Sequence, residues 1–171
     1  STCGTSLAKH ELIYENITDD SIFVKFQVKD KPSEFLIIWT TTPWTIPFNL
    51  GVMVNPNLDY VRAKVQDETW IVAKALAAPF IGGIADKQFS ITEEFKSDKL
   101  LGLKYIHPFE NETHQFKELE KKHPKVHTVV LSEEYVDTSS GTGLVHMAPG
   151  CGPEDYEVGH KNNIPPFNTL T

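Results

Sequence analysis

Two stretches carry the side chains with which this sequence could do chemistry. The first is Trp39-Thr40-Thr41-Thr42-Pro43-Trp44-Thr45. The second is Gly141-Thr142-Gly143-Leu144-Val145-His146, followed by Ala148-Pro149-Gly150 and then Asp155-Tyr156. Thr40, Thr41 and Thr42 supply hydroxyls that both donate and accept hydrogen bonds. Their β-branching restricts χ1 and holds those hydroxyls in place. His146 donates, accepts or shuttles a proton near neutral pH. Asp155 supplies a fixed negative charge suited to an ammonium group. Gly141 and Gly143 allow a backbone to approach a ligand closely. Together these residues describe a pocket for something small, polar and cationic at one end.

The elements that must position them can be read from the surrounding pattern. Phe35-Leu36-Ile37-Ile38 is an apolar run that reads as a buried strand, and the threonines stand at its end. Pro43 removes a backbone donor and stops regular pairing there. Further strands are expected at 10–16, 21–28, 51–54, 58–65, 69–73, 87–92, 126–131 and 143–147. A turn at 30–33 feeds the threonine strand. A short helix is expected from 73 to 80, a charged helix or loop from 111 to 122, and a helix from 153 to 161. Proline and acids in its first turn mark the start of that last helix. The expected fold is α+β, mainly β, a distorted barrel-like domain with a few short helices.

Composition sets limits on function. The 171 residues suit one domain, residues 1–171, with linker-like ends at 1–9 and 163–171. The opening serine and the Pro165-Pro166 tail read as an excised fragment. No apolar stretch is long enough to span a bilayer, and no signal peptide opens the chain. Two cysteines, Cys3 and Cys151, indicate no disulfide framework. The net charge of −7 and the single arginine, Arg62, argue against a broad grip on nucleic acid. If RNA is a partner, only its end should touch this chain.

Several residues have rival readings. The threonine block is also an ordinary strand end, because threonine favours strands. His146 is also a core or edge histidine, and Asp155 is also an acid that suits a helix start. Glu154 and, more weakly, Glu157 compete with Asp155 as the ammonium partner. Gly141-Thr142-Gly143 is also a turn between strands, and Trp44 is also core. Cys151, His146 and Asp155 lack the paired ligands of a zinc site, so neither a metal nor a cofactor is expected. Ser139 or Ser140 with His146 would make a serine triad, but no nucleophile-elbow pattern accompanies them.

The two blocks resemble the signature segments of the editing domain inserted in isoleucyl-tRNA synthetase. Thr-Thr-Thr-Pro-Trp-Thr and Val-His-Met-Ala-Pro-Gly favour the isoleucyl member over its valyl and leucyl relatives. The likeness extends to Asn49-Leu50-Gly51-Val52-Met53-Val54-Asn55-Pro56 and to Cys3-Gly4-Thr5-Ser6-Leu7. It is weakest over 84–125. The resemblance implies a proofreading hydrolase that deacylates valyl-tRNA(Ile), and valyl-adenylate as a further substrate. Thr40, Thr41, Thr42 and Asp155 would be the catalytic set, with Asp155 anchoring the α-ammonium group. His146 would limit side-chain size, Trp44 would wall the pocket, and the Gly141-Thr142-Gly143 backbone would approach the terminal adenosine. The implied partners are the 3′ end of tRNA(Ile) carrying valine and the rest of a parent synthetase, in the cytoplasm. The fragment is expected to be a monomer without aminoacylation activity, since the His-x-Gly-His and Lys-Met-Ser-Lys-Ser signatures are absent. A non-catalytic module binding an aminoacylated RNA end, or a free-standing deacylase, is the alternative.

Overall fold

The alternating and apolar runs form nine strands among the residues described by this computed structural model, which are 14–18, 21–109, 113, 115–139 and 141–166. These strands are β1 (Tyr14–Thr18), β2 (Ser21–Gln27), β3 (Glu34–Thr40), β4 (Gly51–Val54), β5 (Asp59–Val65), β6 (Glu68–Ala73), β7 (Ser90–Lys96), β8 (Thr128–Leu131) and β9 (Leu144–Met147). Three helices accompany them: α1 (Lys74–Leu76), α2 (Gln115–Lys122) and α3 (Pro153–Lys161). The fold is therefore mainly strand with a few short helices, as expected. Residues 10–13 of the first expected strand lie outside the described residues. Among the described residues no helix is long and apolar enough to cross a membrane.

Six strands form one sheet in the order β1-β2-β3-β6-β5-β7, and three form another in the order β8-β4-β9. In the larger sheet only the β3–β6 pair is parallel. Leu36, Ile37 and Ile38 are fully buried, so β3 is covered on both faces. That burial explains a continuous apolar run in place of alternation. β4 is central in the smaller sheet, and all four of its residues are buried. Isolated bridges, Val28 with Tyr105 and Lys104 with Thr128, lace the two sheets together. The expected barrel-like domain is distorted in this way: among the described residues the two sheets pack and are laced without closing into a barrel.

Three local departures have physical causes. The strand expected at 87–92 is β7 at 90–96, because Phe95 is the residue that reaches the core while Ile91 stays about half exposed. The helix expected at 73–80 begins as α1 and widens into a π-helix over Ala77–Ile84. Pro79 offers no N–H to an α-helical ladder, and Ala85 N–H bonds the Phe80 carbonyl five residues back at 2.7 Å. A 3-10 helix, Pro43–Phe48, follows the threonines where only a break was expected. Its two prolines fix φ at values compatible with a tight turn, and it bends the chain from β3 towards β4.

Candidate active site

β3 ends at Thr40, and the 3-10 helix then turns Trp44 and Thr45 back beside it. β9 brings His146 alongside, since Val52 of β4 pairs with His146. The loop after β9 and the first turn of α3 close the site. The result is a cleft of about 410 Å³ lined by Thr40, Thr41, Thr42, Trp44, His146 and Asp155, with Trp39, Thr45, Val145, Cys151, Gly152 and Glu154. Six of the nine sequence-derived candidates thus meet in one place, although they come from distant parts of the chain.

The three threonines are not equivalent. Thr40 is buried, and its Oγ1 accepts the Thr42 N–H at 3.0 Å. Thr42 Oγ1 lies 3.4 Å from Thr40 Oγ1 and 3.5 Å from Thr45 Oγ1. Thr41 is exposed in the cleft and its hydroxyl has no protein partner among the described residues. Thr40 therefore shapes the strand end, whereas Thr41 and Thr42 are exposed where they line the cleft. Trp44 is 44% exposed on the cleft wall, an apolar surface offered to solvent.

His146 is held through both ring nitrogens. Its Nε2 lies 2.8 Å from Thr45 Oγ1, and its Nδ1 lies 3.2 Å from Asn49 Nδ2. Thr45 donates its only hydroxyl hydrogen to the Thr42 carbonyl at 2.8 Å, so Nε2–H must donate to Thr45. Asn49 Nδ2 has two hydrogens, one for the Gly51 carbonyl at 2.8 Å and one for Nδ1. This assigns the neutral Nε2–H tautomer. Burial alone lowers the His146 pKa to about 4, which keeps the ring neutral at physiological pH. With no free lone pair, His146 is a fixed wall and not a general base in this geometry.

Asp155 sits in the first turn of α3 and folds back over the β9 loop. Its Oδ2 accepts the Ala148 N–H at 3.0 Å. Its other oxygen has no partner among the described residues. Burial raises its pKa to about 6, an effect the Ala148 N–H opposes and Glu154 reinforces. A half-desolvated carboxylate with one hydrogen bond is a strong site for a cation, because a positive ligand removes the cost of its ionisation. Glu154 lines the same cleft but is exposed. Glu157 accepts from the Tyr135 hydroxyl at 3.0 Å and pairs with Lys161 at 3.3 Å, outside the cleft.

The structure places Gly141, Thr142 and Gly143 elsewhere. All three are buried and none lines the cleft. Thr142 donates its hydroxyl to the Ile37 carbonyl at 2.6 Å, and its carbonyl accepts the Ala73 N–H at 2.8 Å. Both glycines have φ near +80°, and a Cβ on Gly143 would lie 2.4 Å from Ala73 Cβ. A Cβ on Gly141 would lie 3.2 Å from the Trp39 ring. This segment splices β9 onto β3 and β6 and supports the site from behind. The Thr142 hydroxyl is spent on backbone.

Other candidates separate cleanly. Ser139 donates its hydroxyl to Asp137 at 2.7 Å and its N–H to the same oxygen at 3.0 Å, so it does not partner His146. Ser140 lies outside the described residues. Cys151 lines the cleft, and Cys3 lies outside the described residues. Residues missed from the sequence include Thr45 and Asn49. The three-residue spacing from Thr42 to Thr45 was the available signal, had a 3-10 turn been expected.

No protein-family model matches the chain. It is 46% identical to an isoleucine–tRNA ligase of Pyrococcus abyssi over 98% of this chain and 16% of that protein. A Fervidobacterium pennivorans isoleucine–tRNA ligase is 41% identical over 96% of this chain and 16% of its own length. The chain thus spans about a sixth of these curated relatives. Among solved structures, a leucyl-tRNA synthetase CP1 domain (GlLeuRS-CP1) superposes with a TM-score of 0.61 at 16% identity, covering 84% of this chain and 64% of that one. The editing domain of Plasmodium falciparum cytosolic leucyl-tRNA synthetase gives 0.53 at 18% identity, covering 79% and 48%.

Proposed function

From a chain homologous over nearly all its length to one segment of isoleucine–tRNA ligases, with the fold of leucyl-tRNA synthetase editing domains, we propose a proofreading hydrolase. Its substrate is the ester joining valine to the 3′ end of tRNA(Ile), with valyl-adenylate as a further substrate. It would act with the rest of a parent synthetase, in the cytoplasm. The observation that carries this reading is one cleft holding an underpaired carboxylate, Asp155, together with the free hydroxyl of Thr41 and the fixed ring of His146.

The need for such a site is energetic. One methylene separates isoleucine from valine, and a hydrophobic pocket discriminates it by only about 1–3 kcal/mol, a magnitude for which this synthetase family is itself the standard example. A second, smaller pocket can reject the larger side chain by overpacking. His146 suits that wall because both its nitrogens are tied and the ring cannot swing aside. Asp155 would take the α-ammonium group, which lowers its own pKa and fixes the ester's position. The Thr41 and Thr42 hydroxyls would hold the ester and an attacking water in line. An aminoacyl ester is already activated, so neither a covalent intermediate nor a strong protein base is required. The ribose hydroxyl beside the ester would help activate the water.

The test is deacylation of valyl-tRNA(Ile) and isoleucyl-tRNA(Ile) by the wild-type chain and by His146→Ala. The expected outcome is loss of valine faster than isoleucine, with the gap narrowed in the variant. Equal rates in the wild type would remove the sieve. Binding of a hydrolysis-resistant valyl-adenosine without any deacylation would make this a binding module.

A further inference from the structure

Residues 84–125 carry little recognisable pattern, yet part of this stretch reaches the back of the cleft. Tyr105 is buried and donates its hydroxyl to Asn49 Oδ1. Its ring stacks on Phe26 at 5.1 Å, and its backbone bridges Val28 at the end of β2. The hydroxyl is therefore held by packing on a fixed element. Asn49 is fully buried, and every polar atom of its side chain is engaged: the oxygen by Tyr105, the two hydrogens by the Gly51 carbonyl and His146 Nδ1.

We propose that Tyr105 is a positioning residue for the cleft. It holds the Asn49 amide in the orientation that presents Nδ2–H to His146, and so selects the Nε2–H tautomer. That tautomer in turn makes Thr45 an acceptor from His146 and a donor to the Thr42 carbonyl. A flipped amide would present its oxygen to Nδ1 and select the opposite tautomer. Thr45 would then donate to His146, and the Thr42 carbonyl would lose its hydroxyl partner. The direction of the threonine hydroxyls at the strand end is thus set through Asn49 and His146, by a phenol that does not line the cleft. Two contacts hold the amide, the Gly51 carbonyl and the Tyr105 hydroxyl, and only the second can be removed with a side chain. The consequence for activity rests on the proposed hydrolysis, whereas the consequence for the tautomer does not.

The experiment is ¹⁵N NMR of the histidine rings in the 171-residue chain, with the deacylation kinetics of the same samples. The wild type should show His146 protonated at Nε2 and unprotonated at Nδ1. In Tyr105→Phe both resonances should move towards a tautomeric average, kcat should fall about tenfold, as for one lost hydrogen bond, and KM should change little. In Asn49→Asp the carboxylate can only accept from Nδ1, so the tautomer should invert. An Nδ1–H tautomer in the wild type overturns the proposal before any variant is made. An unchanged Nε2–H tautomer in a folded Tyr105→Phe also overturns it. Where Tyr105→Phe does not fold, retention of Nε2–H in Asn49→Asp does the same. A chain that hydrolyses neither ester, yet shows these tautomer shifts, would sink the hydrolase reading and leave the positioning role standing.

Discussion

Asp155 is a carboxylate placed where ionisation is expensive unless something cationic arrives. Its pKa in the folded chain is raised to about 6 from an ordinary 3.8. The folded protein therefore keeps a proton that the unfolded chain releases between these values. Stability from this group is greatest at acid pH, falls as pH rises from about 4 to about 6, and is flat above. Asp155→Asn keeps an oxygen for the Ala148 N–H and removes the charge. It should be at least as stable as wild type at pH 7 in urea unfolding; a clear loss there would show that the ionised carboxylate is structurally favourable. Ligand binding should run the other way. Affinity for a hydrolysis-resistant valyl-adenosine should rise with pH through about 6 as the carboxylate forms. It should fall above about 8 as the ligand's own ammonium is lost. The rise near 6 should vanish in Asp155→Asn. At this scale the threonines, Trp44, His146 and Asp155 were legible, since their types announce hydrogen bonding, charge or aromatic surface. Thr45 and Asn49 were not, because their value lies in partners that only folding brings near.

At the scale of elements, the site depends on how β9 is spliced to the larger sheet. Tyr60 on β5 donates its hydroxyl to the Gly143 carbonyl at 2.7 Å and accepts the Asn55 N–H at 2.9 Å. Gly143 needs both a positive φ and the space against Ala73. Gly143→Ala should therefore cost about 2–5 kcal/mol, the sum of left-handed backbone strain and overpacking. Thermal or chemical unfolding would measure it, and a cost under about 1 kcal/mol would mean that the splice yields easily. Gly141→Ala should act differently. Its Cβ presses on Trp39, which lines the cleft, so it should weaken ligand binding beyond any loss of stability. Trp39→Phe in the same chain should restore part of that binding by giving the indole's space back. Most strands were readable from periodicity alone. The 3-10 helix was not, since Pro43 reads only as a stop to strand pairing, and the burial of the Gly141–Gly143 segment was not, because buried splices and ligand loops share the same glycines.

The whole molecule carries a net charge of −7 and one arginine, and that arginine is paired with Glu34 and Glu93. That balance argues against a broad grip on RNA by phosphate neutralisation. Binding of tRNA to this chain alone should be weak, and its log affinity should fall with log salt with a slope no steeper than about −2, as for contacts with two or three phosphates of a single strand. A steep slope would reveal an RNA-binding face beyond the cleft. Under the proposed function, other parts of a parent synthetase would grip the tRNA and this chain would receive its end. The charge was legible from composition. The separation into two laced sheets was not, because strand order depends on pairing across the chain.

The most direct test is a single-turnover time course of valyl-tRNA(Ile) and isoleucyl-tRNA(Ile) with wild type and Asp155→Ala side by side. Wild type should release valine well before isoleucine, and Asp155→Ala should release neither above the spontaneous rate. Normal valine release by a folded Asp155→Ala would contradict the ammonium anchor on which the proposed mechanism depends.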